Sequence, residues 1–267
     1  MHRSIQPRVL YLGTPVVLIS TINERGTANL APMSSAWWVG SSCMLGLDAE
    51  SQTTLNLQRA GECVLNLADP AMVDAVDRLA LLTGRARVPP HKQVKGYRFE
   101  EDKFGAAGLT PVDSERVSPP RVLESLIQLE ARVGSVHPFA GSYSGVLAIE
   151  VETVRCHVDE DLIIEGSGHY IDPQRWDPLI MKFCEFYAGG RNVRPSRLAK
   201  GWGMPALTST PPGRTRRSRP AMTKSMLPLP ISTRPELPDD ARRGGYPLGR
   251  ARASAREPDG GVSSTRR

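Results

Sequence analysis

Asn29-Leu30-Ala31-Pro32-Met33-Ser34-Ser35-Ala36, followed by Ser51-Gln52-Thr53-Thr54-Leu55-Asn56, is the part of the sequence on which the reading of the whole chain turns. The first stretch lies in an extended run from Ala28 to about Trp38 that interrupts itself at Pro32. A proline has no N–H to give a ladder, so the backbone there runs along an edge or a bulge. Such a broken ladder leaves N–H and C=O groups free to meet the polar rim of a flat heterocycle. The second stretch is the hydroxyl-rich start of a helix. Its unpaired N–H groups, the positive end of its dipole and the hydroxyls of Ser51, Thr53 and Thr54 suit a phosphate, and Asn56 follows Thr53 on the same face. The same residues read equally as ordinary N-caps.

Outward from these two stretches the chain is mostly strand. The β-branched run Val16–Ile22 and the turn chemistry of Asn23-Glu24-Arg25-Gly26-Thr27 predict a hairpin into the Ala28 run. Cys43–Leu47 is a third strand. The helix behind Ser51 ends where Gly61 can close it, and Cys63–Leu67 is a fourth strand with Cys63, Leu65 and Leu67 on one face. Asp69-Pro70 caps a second helix whose stripe is Met72, Val73, Val76, Leu79 and Ala80. Residues 84–120 are rich in proline and glycine and read as a lid or an interface arm. Strands resume at Ile127–Val136 and Val146–His157, and Val158–Asp161 turns the chain into Leu162-Ile163-Ile164. Many strands with few helices between them predict a mainly β fold, an antiparallel barrel with appended helices, rather than βαβ units.

The composition divides the 267 residues into a body, 1–204, and a tail, 205–267. The tail holds 12 Arg and one Lys against two Glu and three Asp, and ten of the 23 prolines. The overall +6 therefore belongs to the tail, and the body carries −2. The tail shows no apolar period and is expected to be disordered. Its arginines lack aromatic interleaving, so no specific nucleic-acid partner is expected, and no apolar run is long enough to suggest a membrane span. The N-terminus has no clean apolar segment of the secretory kind. Cys43, Cys63, Cys156 and Cys184 are widely spaced, which fits reduced thiols in a cytoplasmic protein and no zinc or dithiol motif.

The order hairpin, strand, helix, strand carries four local patterns: Thr14-Pro15-Val16-Val17-Leu18-Ile19-Ser20-Thr21, Asn29-x-Ala31-Pro32-x-Ser34-Ser35-Ala36, Ser51-x-Thr53-x-x-Asn56-Leu57 and Gly61-Glu62-Cys63-Val64-Leu65-Asn66. Together they resemble the flavin reductase family of FMN-binding split β-barrels, from about Leu12 to Met204. The resemblance implies an antiparallel Greek-key split barrel and a homodimer with flavin at the subunit interface. The cofactor implied is FMN, with FAD as the alternative, and the electron donor is NADH or NADPH. A partner monooxygenase would consume the reduced flavin. By the same resemblance Ala31, Pro32, Met33, Ser34, Ser35 and Ala36 border the isoalloxazine and ribityl chain. Ser51, Thr53, Thr54 and Asn56 hold the phosphate side, joined by Arg191 of Gly189-Gly190-Arg191. No nucleophile is required, because hydride passes directly between two stacked rings. Other readings keep the flavin but give it another small substrate, or make the protein a non-catalytic flavin carrier.

Further candidates are weaker. His137, just past a strand, could orient the nicotinamide, and His169-Tyr170 could line the same cleft, although both read as surface residues as well. One of Trp37 and Trp38 belongs in a core or an interface by alternation. Cys43 and Cys63 read as core residues, and Asp159-Glu160-Asp161 as a solvated turn. No G-x-G-x-x-G follows a strand, so a Rossmann domain is unsupported.

Overall fold

Pro15 hands the chain to a strand whose two faces are both apolar. The computed structural model describes residues 1–7, 9–139, 145–194, 196, 199, 204 and 205. The chain separates into two units, Met1–Gly213 and Arg214–Arg267, and all elements named below lie in the first. The expected disorder of 205–267 falls outside the described residues, Pro205 apart. After β1 (Leu12–Pro15), β2 (Val17–Ile22) and β3 (Ala28–Met33) form the expected hairpin, closed by Asn23 and Gly26, followed by β4 (Ala36–Val39) and β5 (Ser42–Asp48). Helix α1 (Gln52–Ala60) begins at the cap Ser51 and ends at Gly61, whose φ of 69° is natural for glycine. Strand β6 (Glu62–Leu67) follows, and the Asp69 carboxylate caps a short 3₁₀ turn that leads into α2 (Val73–Leu79).

The excursion between α2 and the long strands is structured. It contains the parallel two-residue ladder of β7 (Leu82–Thr83) with β8 (Arg98–Phe99), and the short helices α3 (Pro90–Gln93) and α4 (Lys103–Ala107). It ends in the antiparallel ladder of β9 (Pro111–Val112) with β10 (Arg121–Val122). Helix α4 packs against α2 and β3, so this segment folds back on its own body. The long strands are β11 (Ile127–Phe139) and β12 (Val146–Val158). Strands β13 (Ile180–Lys182) and β14 (Glu185–Tyr187) form a second sheet with β1, in the order β1-β13-β14.

The main sheet runs β3-β2-β6-β11-β12-β5-β4, every neighbour antiparallel. Its two edges, β3 and β4, are consecutive in the chain and separated by Ser34 and Ser35 alone. Two edges joined by two residues cannot lie at opposite ends of a flat sheet, so the sheet curls into a barrel with a seam at those serines. Pro32 thus sits on an edge strand, as its missing N–H requires. Among the described residues no helix is long and apolar enough to cross a membrane.

Alternation divides the core in two. Val17 and Ile19 point into the barrel with Leu45, Leu65, Ile149, Val151 and the two core cysteines, and Leu57 of α1 packs with them. Val16 and Leu18 point outward to meet Leu30, Val76 and Leu79 of α2 and Phe104 of α4. Trp38 packs against the barrel core while Trp37 is exposed.

Two expectations are corrected. Leu162–Ile164 is not a strand: the Asp159 carboxylate accepts the Asp161 N–H and draws Glu160–Leu162 into a 3₁₀ turn, leaving Ile163 with a single bridge to Ile171. On β6, Cys63 and Leu65 are interior but Leu67, at the strand end, is only half-buried.

A fully buried carboxylate ties the excursion to the long strands. Glu130 of β11 accepts the N–H groups of Glu115 and Arg116 at 2.9 and 2.6 Å, and His157 Nε2 lies 2.7 Å away. Burial disfavours its charge, yet these donors outweigh burial and hold its pKa below the usual value.

Candidate functional site

A cavity of about 500 Å³ opens at the barrel seam. The interrupted strand contributes Ala31, Pro32, Met33, Ser34 and Ser35, and β5 contributes Gly46, Leu47 and Asp48. Ser51, Gln52 and Thr53 at the start of α1 form one end. The excursion supplies His91, Lys92, Lys95, Tyr97 and Lys103, and Met181 and Phe186 come from the second sheet. Ser35 also fixes the seam, since its carbonyl accepts the Gly46 N–H at 2.8 Å.

Counting hydrogens separates the hydroxyls at the helix start. Thr54 Oγ1 donates its one hydrogen to the Asp48 carbonyl at 2.8 Å. In its 2.9 Å contact with Ser51 Oγ, Ser51 must therefore be the donor, and Ser51 also accepts the Thr54 N–H. Ser51 and Thr54 are spent on the cap. Thr53 differs: Asn29 Nδ2 donates to its Oγ1 at 3.2 Å, which leaves the Thr53 hydroxyl hydrogen to be given to an acceptor in the cavity. The N–H groups of Gln52 and Thr53, in the first turn, have no intrahelical partner either.

The residues named from sequence fall into two groups. Ala31, Pro32, Met33, Ser34, Ser35, Ser51 and Thr53 line the cavity together. Ala36, Thr54, Asn56, Arg191 and His137 do not. Ala36 points into the barrel core. Asn56 is fully buried, its Nδ2 donating to Thr21 Oγ1 and Asn23 Oδ1 and its Oδ1 accepting from Gln52, so its amide has nothing left for a phosphate. Arg191 is exposed, and His137 is exposed with its Nε2 on Ser135 Oγ at 2.9 Å. His169 and Tyr170 also lie outside the cavity wall.

The charge of the wall comes from residues that the sequence reading passed over. His91 Nε2 and Lys92 Nζ reach Asp48 Oδ2 at 2.8 and 3.2 Å. Burial raises the Asp48 pKa, but the hydrogen bonds from His91 and the Glu50 N–H, with the Lys92 charge, outweigh it and leave the pKa below its ordinary value. Lys103 is only 3% exposed and makes no ion pair or hydrogen bond among the described residues. Burial, and then the charge of Lys92, push its pKa down to about 8 against the pull of Glu100. An ammonium so enclosed carries a desolvation cost, and an anion in the cavity would relieve it. One signal for it was present: Lys103 stands in the first turn of a helix behind the cap Asp102, where a cation is disfavoured by the dipole.

A flat ligand with an anionic tail fits these walls. The edge strand and the apolar Met33, Leu47, Met181 and Phe186 suit a ring, and Thr53 with Lys103 suits a phosphate. The family model described as Flavin reductase like domain matches residues 9–175. The uncharacterized protein YdfE of Bacillus subtilis (strain 168) is 37% identical over 192 residues, 72% of this chain and 91% of that protein. The structure of flavoredoxin from Desulfovibrio vulgaris (Miyazaki F) aligns with a TM-score of 0.61 at 23% identity, over 75% of this chain and 100% of that one. Nitrilotriacetate monooxygenase component B from Bacillus cereus aligns with a TM-score of 0.58 at 22% identity, over 73% of this chain and 99% of that one. Those two likenesses concern the fold. On the family match and the sequence relative, the chain belongs to the flavin reductase-like family of split β-barrels.

Proposed function

We propose that the protein is an FMN-dependent oxidoreductase that takes electrons from NADH or NADPH, works as a cytoplasmic homodimer and supplies reduced flavin to a partner monooxygenase. One observation carries the reading: the seam cavity joins an unpaired strand edge, the free hydroxyl hydrogen of Thr53 and the unpartnered ammonium of Lys103. In it, Ala31–Ser35 would border the flavin ring and ribityl chain, while Thr53, the first-turn N–H groups and Lys103 would hold the phosphate. When bound, the flavin supplies the two-electron acceptor for a hydride from the nicotinamide. The chain's own part is to bind and orient: the edge strand offers hydrogen-bonding groups, Met181 and Phe186 exclude water, and Lys103 balances the phosphate charge. Similarity to the monooxygenase component from Bacillus cereus supports the partner.

Titrating the purified protein with FMN and then adding NADH or NADPH anaerobically tests this. Saturable binding with loss of the oxidised-flavin absorbance is expected. Binding without bleaching would make the protein a carrier, and absence of binding would overturn the flavin reading altogether.

A further inference from the structure

Residues 85–97 leave β7 and return at β8, so the two-residue ladder of those strands forms their base. The Arg98 N–H on the Leu81 carbonyl and the Glu100 N–H on the Thr83 carbonyl close it. Gly84 stands at the departure, and Gly96, with a φ of 83°, at the return. Between them the backbone bonds are local: the Lys92 and Gln93 N–H groups donate to the Pro89 carbonyl, and the Tyr97 N–H donates to that of Lys92. Although Pro89 is buried, no residue of α3 is, and Val94 behind it is 87% exposed. A small flap with so little apolar anchorage opens more readily than the core beneath it. Yet this flap supplies His91, Lys92, Lys95 and Tyr97 to the wall of the seam cavity.

Its hold on the barrel centres on one histidine. His91 lies between two carboxylates of the body, with Nε2 2.8 Å from Asp48 Oδ2 and Nδ1 3.7 Å from Glu50 Oε2. The charged groups that face it are therefore Asp48 from β5, Glu50 from the turn before α1, and Lys92 from α3, whose Nζ lies 3.2 Å from Asp48 Oδ2. Lys95, Lys103 and Tyr97 line the same cavity. An imidazolium can donate from both ring nitrogens and so serves both carboxylates, whereas the neutral ring has one N–H and serves one. The geometry points to residues 85–97 as a flap over the seam cavity that His91 latches when protonated, so that pH sets how fast a ligand enters and leaves. Histidine changes charge between about pH 5 and 8, and Asp48, held below its ordinary pKa, stays ionised throughout that range. Loss of the proton keeps the Lys92–Asp48 pair and releases Glu50. Because the latch joins flap to body, its weakening speeds entry and release by the same factor and leaves their ratio unchanged. That the passing ligand is a flavin rests on the reading of the cavity proposed above.

The test uses riboflavin, which has no phosphate to titrate. Stopped-flow mixing follows its entry into, and release from, the full chain and the His91→Gln variant at pH 6, 7 and 8. Both rate constants of the parent should rise by about 2- to 5-fold over that range, the worth of an exposed ion pair, at constant ratio. The variant should be fast and flat. Trypsin cleavage after Lys92 and Lys95 in the ligand-free chain, divided by that of a free peptide of residues 86–97 at the same pH, needs no flavin. It should follow the same course in the parent and stay flat in the variant. Either readout unchanged with pH in the parent, or changing equally in the variant, would overturn the inference and leave the flavin reading standing. If neither riboflavin nor FMN binds, the flavin reading falls, and the cleavage alone upholds or overturns the latch.

Discussion

Asn29 and Thr53, 24 residues apart in sequence, meet side chain to side chain, with Asn29 Nδ2 3.2 Å from Thr53 Oγ1. The amide nitrogen can only donate, so Thr53 Oγ1 is the acceptor in this pair and keeps its own hydrogen to give to an acceptor in the cavity. Thr53→Val keeps the shape and removes that donor. FMN affinity should fall by about 10- to 100-fold, the worth of one hydrogen bond to a charged group. Riboflavin, which has no phosphate, should bind parent and variant alike. An unchanged FMN-to-riboflavin affinity ratio in parallel titrations would show that Thr53 does not touch the phosphate.

Lys103 gives a pH signature. Its pKa is about 8 in the free protein, and a bound phosphate would raise it, so binding takes up a proton above that pH. FMN affinity should therefore decline as pH rises from about 8 toward 10. The phosphate, with a second pKa of about 6, stays dianionic throughout. Lys103→Gln should bind FMN more weakly at pH 7 and lose the decline. Titrations at pH 7, 8, 9 and 10 check this, with riboflavin as the control that stays flat.

Gly84→Ala should destabilise the protein. The added carbon would meet Asn29 Oδ1 at 2.6 Å and Gln52 Cβ at 3.2 Å, both on ordered elements that cannot simply swing aside. Overpacking of this kind costs about 1–3 kcal/mol. A lowered Tm in thermal unfolding, together with weakened flavin binding, is the expected result.

Glu130→Gln tests the buried carboxylate. With its folded pKa below the unfolded one, Glu130 contributes stability that is fully present above about pH 4.5 and is lost as pH falls through the lowered value. The variant should lose about 2–4 kcal/mol near neutrality, because one carboxylate oxygen becomes an NH2 group that faces an N–H donor and the remaining oxygen is a weaker, uncharged acceptor. Its stability should also fall less steeply with acid. Urea unfolding across pH 3–7 measures both effects.

How much of this was written locally in the chain can be judged residue by residue. Pro32 on an edge, Ser51 and Gly61 at the two ends of α1, and the hairpin of β2 with β3 each follow from a few neighbouring residues, and each stands in the structure where the sequence placed it. Asn56 was placed on the helix face by spacing alone, but its partner Thr21 lies 35 residues away, and only the tertiary fold reveals that the amide is used up. Asp48 and His91 are 43 residues apart, so the cationic wall of the cavity has no local pattern at all. The β13–β14 hairpin was illegible for another reason. Its tip, Phe183-Cys184, takes positive φ at both residues (49° and 68°) without the glycine or asparagine that normally marks such a turn.

Strand β2 has a consequence for folding fidelity. Because both its faces are apolar, a slip of one residue would exchange Val17 and Ile19 for Val16 and Leu18 and still fill both cores, so hydrophobicity cannot define the pairing. Polar pins must do so. Asn66, fully buried on β6, donates to the Leu18 carbonyl at 3.0 Å and accepts the Val122 N–H at 2.8 Å, and Ser20 donates to the Pro120 carbonyl. An Asn66→Leu chain would keep its greasy interior yet lose the mark that distinguishes the correct alignment from its neighbour, and misaligned barrels would become the competing product of folding.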